Sequence, residues 1–86
     1  MADDGPDLEF PLYCHYKIIA ETSSGIRGRI EKVLLELDIV EPLIEGSHSE
    51  KGRYVTYNVT VRVESKEWMN RIDAGLRAIP GVKMVL

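Results

Sequence analysis

The chain has one cysteine, Cys14, so no internal disulfide can form and folding needs no oxidising compartment. No apolar run approaches the ~20 residues that a membrane-spanning helix requires. The acidic segment Met1–Asp7 has no apolar core and is not read as a secretory signal. A cytoplasmic protein with no membrane partner is therefore expected. A basic field is also missing. The formal charge is −3, and Asp3, Asp4, Asp7 and Glu9 account for all of it, which leaves the rest of the chain close to neutral. Nucleic-acid binding normally needs a positive surface, so no nucleic-acid partner is expected.

Catalytic and metal-binding patterns are scarce as well. There is no Cys-x-x-Cys pair, and Cys14 and His15 are neighbours that point to opposite sides of a strand. His48 falls in a predicted loop. Cys14 is expected to face inward, where a thiol is inert. No Ser-His-Asp or paired-carboxylate spacing stands out. The expectation is no catalytic residue, no metal and no cofactor. Asn58-Val59-Thr60 fits the glycosylation sequon, but a mid-strand position without a signal peptide makes the match coincidental.

The strongest positive signal is Tyr54–Val63. Val55, Tyr57, Val59, Val61 and Val63 alternate without a break with Tyr54, Thr56, Asn58, Thr60 and Arg62. This is a strand with one dry and one wet face. Such a strand belongs to a sheet covered on one side only. Leu12–Ala20 alternates too, with Cys14, Tyr16, Ile18 and Ala20 on one side and Tyr13, His15, Lys17 and Ile19 on the other.

Helical spacing appears twice. Ile26, Ile30, Val33, Leu34 and Leu37 make one apolar stripe, preceded by a loop of potential capping residues, Thr22-Ser23-Ser24-Gly25. Trp68, Ile72, Leu76 and Ile79 make the other. Ser65 is its expected N-cap, Glu67 suits its first turn, and Pro80-Gly81 stops it. Ile39–Glu45 reads as a second strand. Pro42 inside it cannot donate to a ladder, so an edge position is required. Gly46–Gly52 is a mobile hairpin connection, and Val82–Leu86 is a short last strand.

Residues 1–9 are then a disordered acidic leader, and residues 10–86 form a single domain. The element order is the α+β ferredoxin-like βαββαβ split. Right-handed crossovers place two helices on one face of a four-stranded antiparallel sheet. The expected spatial order is fourth, first, third, second, which makes the proline-bearing strand an edge. Ile18, Val33, Val59, Val61, Trp68 and Ile72 should meet in the core. A domain of this size should have a stability on the order of 5 kcal/mol.

The fold hosts many activities and selects none. RNA recognition motifs share it, but their third strand carries stacking aromatics. Here Arg53 and Asn58 occupy two of those positions, and Val55 falls on the dry face. Acylphosphatases share it too, but their Gly-Val-x-Phe-Arg run is missing.

Two surfaces are left as candidates. One is the wet sheet face, carrying Tyr13, His15, Lys17, Tyr54, Thr56, Asn58 and Arg62, a mixture that includes residue types common at interface hot spots. An unknown protein partner is expected there. The other is the loop Thr22, Ser23, Ser24, Gly25 and Ile26. Backbone N–H groups at a helix start attract carboxylates and other anions, although such loops more often serve only as caps.

Several runs carry a family resemblance: Phe10-Pro11, Tyr16-Lys17-Ile18-Ile19, Ser49–Tyr54, Asn58–Val61 and Val82–Leu86. The chain resembles the bacterial YbeD-like proteins, sometimes labelled lipoate regulatory. The resemblance runs from Phe10 to Leu86. It implies a fold similar to ACT domains, the amino-acid-sensing modules of metabolic enzymes, and a non-enzymatic regulatory or interaction role. It also implies ligand binding near the loop after the first strand, often at a dimer interface. Here that loop has Ser24-Gly25-Ile26 without the Asp and Pro usual in ACT loops. A monomer or weak homodimer is expected.

Overall fold

The computed structural model describes residues 9–49 and 51–86, so the leader lies outside the described residues except for Glu9. The order is β1 (Leu12–Glu21), α1 (Ile26–Glu36), β2 (Ile44–His48), β3 (Tyr54–Val63), α2 (Lys66–Arg77) and β4 (Val82–Val85). The sheet runs β2-β3-β1-β4, and all its pairings are antiparallel. This is the βαββαβ architecture and the strand order expected from the sequence.

β1 and β3 pair along their whole length, from Leu12 opposite Val63 to Glu21 opposite Tyr54. That register sets Tyr16, Ile18 and Ala20 on the same side as Val55, Tyr57, Val59, Val61 and Val63, and all of them are buried. Ile26, Ile30 and Leu34 of α1 and Ile72 and Leu76 of α2 close over them. Ile18, Val59, Val61 and Ile72 are in the core as expected. Val33 and Trp68 are only half-buried. Val33 stands at the outer seam between the helices, and Trp68 lies in the first turn of α2, at the rim of the core. Cys14 is also half-buried, with its Sγ 3.7 Å from Met69 Sδ. The helices approach closely at Gly75, where a Cβ would come 3.3 Å from Leu37 Cδ1.

β2 begins five residues later than the sequence suggests. Ile39 and Leu43 are buried, but they lie in an irregular segment, and Pro42 precedes the strand. Ile44 opposite Asn58 fixes the register, and continuing it would set Pro42 opposite Thr60. Proline has no N–H for that rung, so the ladder stops. Two residues farther along the same edge, the Arg62 amide donates to the Glu41 carboxylate at 3.5 Å instead. β2 remains an edge strand, and all five of its residues are exposed.

The two helices are finished differently. The Ser65 hydroxyl accepts from the Trp68 amide at 3.1 Å, Glu67 lies in the first turn of α2, and Arg77 lies in the last. Arg77 donates to the Val85 carbonyl at 2.9 Å, which ties α2 to β4. α1 starts at Gly25 (φ 84°) with no side-chain cap, no acid in its first turn and no base in its last. Ser65→Ala should therefore lower stability by ~1 kcal/mol in urea unfolding, whereas Ser24→Ala should change it little. Equal losses would contradict this account of the caps.

Candidate functional site

The face of the sheet away from the helices is formed by alternate residues of β1 and β3. Across the central pair, Tyr13 lies beside Arg62, His15 beside Thr60, Lys17 beside Asn58, Ile19 beside Thr56 and Glu21 beside Tyr54. All seven residues expected on a contact face therefore share one side of the sheet. His15 is at its centre. Its Nδ1 is 3.0 Å from Thr60 Oγ1 and its Nε2 is 3.2 Å from Asn58 Oδ1, so both ring nitrogens are held by uncharged groups. Arg62 pairs with Glu64, and Lys83 pairs with Glu21 at 3.1 Å. Among the described residues Lys17 has no acidic partner.

Three apolar residues join this face that sequence reasoning missed. Ile44 is opposite Asn58 and Met84 is opposite Ile19. Leu86 is held beside Lys17 by two backbone hydrogen bonds of 3.0 and 2.8 Å. Ile44 was hidden by the misplaced start of β2, and β4 is too short to show an alternation. Among the described residues seven large hydrophobic side chains are exposed, and Tyr13, Ile44, Tyr54, Met84 and Leu86 lie here. The face thus combines apolar ends with a polar, hydrogen-bonded middle.

The loop after β1 borders the Tyr54 end of this face. Thr22 donates its amide to the Arg53 carbonyl at 2.8 Å, and the Ile26 amide turns back to the Ser23 carbonyl at 3.2 Å. Thr22, Ser23, Ser24 and Gly25 are exposed. Ile26 differs from expectation as a ligand contact: it is buried in the core, because it is the first residue of the apolar stripe of α1. The side-chain cap suggested by the Thr-Ser-Ser run is not made. In the first turn the Arg29 amide reaches the Gly25 carbonyl at 3.0 Å.

His48 pairs with Glu45 at 3.3 Å at the sheet edge, far along the chain from Cys14. Among the described residues no three His, Cys, Asp or Glu side chains are grouped to share a metal ion, and no helix is long and apolar enough to cross a membrane.

A four-stranded antiparallel sheet with both helices on one side and an opposite face that no described helix or strand covers defines a small ACT-like domain. Residues 6–86 match the family model described as protein of unknown function (DUF493), and the chain belongs to that family. A UPF0250 protein of Shewanella frigidimarina is 32% identical, with 92% of this chain and 90% of the relative covered. One from Stenotrophomonas maltophilia is 29% identical over 96% and 95%. The YbeD-like resemblance is thus upheld. Among solved structures, protein HP0495 from Helicobacter pylori superposes with a TM-score of 0.77 at 20% identity, covering 96% of this chain and 89% of that one. The ACT domain of a GTP pyrophosphokinase from Chlorobium tepidum gives 0.63 at 18% identity, covering 86% and 94%. At these identities the structural likeness establishes the fold alone.

Proposed function

We infer that this chain is a non-enzymatic cytoplasmic regulatory module that acts by protein contact through its open sheet face. The supporting observation is that, among the described residues, nothing covers this face, where Tyr13, Ile44, Tyr54, Met84 and Leu86 are exposed around His15, Lys17 and Arg62. Exposed apolar groups gathered on one face mark contact surfaces more often than singly scattered ones do. A Tyr54→Ser, Arg62→Ser double variant should fold normally, because both side chains are exposed. In cross-linking pull-downs from a bacterial lysate it should lose the proteins that the wild type retains. Retention of every captured protein would exclude this face.

A second reading is a sensor of amino acids or other carboxylates at Thr22–Ile26. It is favoured by the uncapped start of α1, where no side chain competes for the first-turn amides. A carboxylate ligand at a hundred times its Kd would stabilise the fold by ~2.7 kcal/mol, which a thermal-shift screen of amino acids would detect.

A further inference from the structure

A groove beside α1 has its own chemistry. It lies between the C-terminal half of α1 and the irregular segment that precedes β2, and its volume is ≈ 390 Å³. Leu34, Leu35, Ile39, Val40 and Leu43 give it an apolar floor and walls. Leu34, Ile39 and Leu43 are buried and fixed by the core, whereas Leu35 and Val40 stand 70% and 86% exposed. These two are the large hydrophobics that the sheet face does not account for.

The charged side chains that line the groove are acidic. Glu31 and Glu41 line it, and no basic residue does. Arg27 sits at one end and is committed, pairing with Glu31 at 3.2 Å and donating to the Leu43 carbonyl at 2.8 Å. Among the described residues Glu41 accepts only the Arg62 amide and has no ion pair. The groove also abuts the C-terminal end of α1, the negative end of its dipole. The last turn holds no basic residue to offset it, in contrast to Arg77 in α2. The carbonyls of that turn are occupied, Val33 and Leu34 by the Leu37 amide, Leu34 by the Ile39 amide as well and Leu35 by the Asp38 amide, so the charge of the groove rests on Glu31 and Glu41 beside the apolar trough.

We propose that this groove docks a short segment of another protein that bears an aliphatic or aromatic anchor flanked by lysine or arginine. The anchor fills the trough between Leu35 and Val40. The flanking cations meet Glu31 and Glu41, the two acids that line the trough. Charge decides against self-occupancy by the leader, because Asp3, Asp4 and Asp7 carry the sign of the groove. The groove and the open sheet face meet at Glu41 and Pro42, which line a depression on each, but Val40 lines the groove and Tyr54 lies on the sheet face, so variants at these two positions test them separately.

A phage-displayed library of random twelve-residue peptides, selected against the full-length protein, tests this. Enriched peptides should carry a hydrophobic residue between basic ones. They should perturb amide resonances of residues 31–43, and they should bind more weakly as salt rises. Val40→Lys removes the apolar wall and reverses the local charge at an exposed site. It should weaken these peptides about tenfold or more, without loss of thermal stability. The Tyr54→Ser, Arg62→Ser variant should bind them as the wild type does. Failure to enrich, acidic or neutral consensus peptides, or indifference to Val40→Lys would overturn the proposal. So would sedimentation showing that the groove is filled by a second copy, as a dimer dissociated by Val40→Lys.

Discussion

Leu76→Ala is expected to remove a large share of the stability of the fold. Leu76 is fully buried under the sheet, on the core stripe of α2. Truncating a buried leucine removes its transfer free energy and leaves a cavity, together about 2–5 kcal/mol. The whole domain has only about 5 kcal/mol to lose, so one such cavity consumes most of its margin. Trp68→Ala removes a larger side chain but should cost less than full indole burial would suggest, because Trp68 is half-exposed at the rim. Urea unfolding followed by far-UV circular dichroism checks both. A Leu76→Ala protein with a wild-type midpoint would contradict the core described here.

Alkaline pH should also destabilise the fold, through Tyr16. This tyrosine is buried on the helix side of β1, and among the described residues its hydroxyl has no hydrogen-bond partner. Burial, aided by the nearby Cys14 and Asp73, pushes its pKa up to about 12. In the unfolded chain a tyrosine ionises near 10. Below about pH 10 both states hold the proton and stability does not depend on it. Between about 10 and 12 only the unfolded state releases it, so stability falls as pH rises. The loss reaches about 2–3 kcal/mol once the folded pKa is passed. Tyr57 is raised as well, mainly by burial, and adds in the same direction.

Tyr16→Phe should remove most of that alkaline loss. At neutral pH it should raise stability by about 1 kcal/mol, because it deletes a buried hydroxyl that has no partner. Urea midpoints of wild type and variant between pH 7 and 11.5 would show both effects. A variant less stable at neutral pH would mean that the hydroxyl does have a partner.

The fold was legible wherever one physical signal dominated. The unbroken alternation of Tyr54–Val63 located β3, and Ser65, Glu67 and Pro80-Gly81 bounded α2. The signal failed where two requirements conflicted. Ile39 and Leu43 are apolar because they seal the core, not because they belong to a strand, and Pro42 prevents the rungs that would have made them one. Thr22-Ser23-Ser24 looked like a cap, but the helix opens at the left-handed Gly25 and no side chain makes the cap bond.

The seven residues of the sheet face were found because period two sorts faces without knowledge of the partner strands. Ile44, Met84 and Leu86 were not, since their places depend on register at the sheet edges. The groove beside α1 left no trace in any periodicity. Leu35 departs from the stripe of α1, and Val40 sits in an irregular segment, so only the folded chain brings them together.

The central pairing of β1 with β3 also has a kinetic consequence. Leu12 meets Val63 and Glu21 meets Tyr54, so every rung joins residues more than thirty positions apart. β4, the other neighbour of β1, lies farther still along the chain. As the polypeptide leaves the ribosome, β1 emerges early with its apolar face made, and it must wait for most of the remaining sequence before it can be covered. Non-local closure of this kind slows folding relative to helical domains of equal length. During that wait, Tyr16, Ile18 and Ala20 form an unpaired apolar strand, which is the period when aggregation is most probable and a chaperone would matter most.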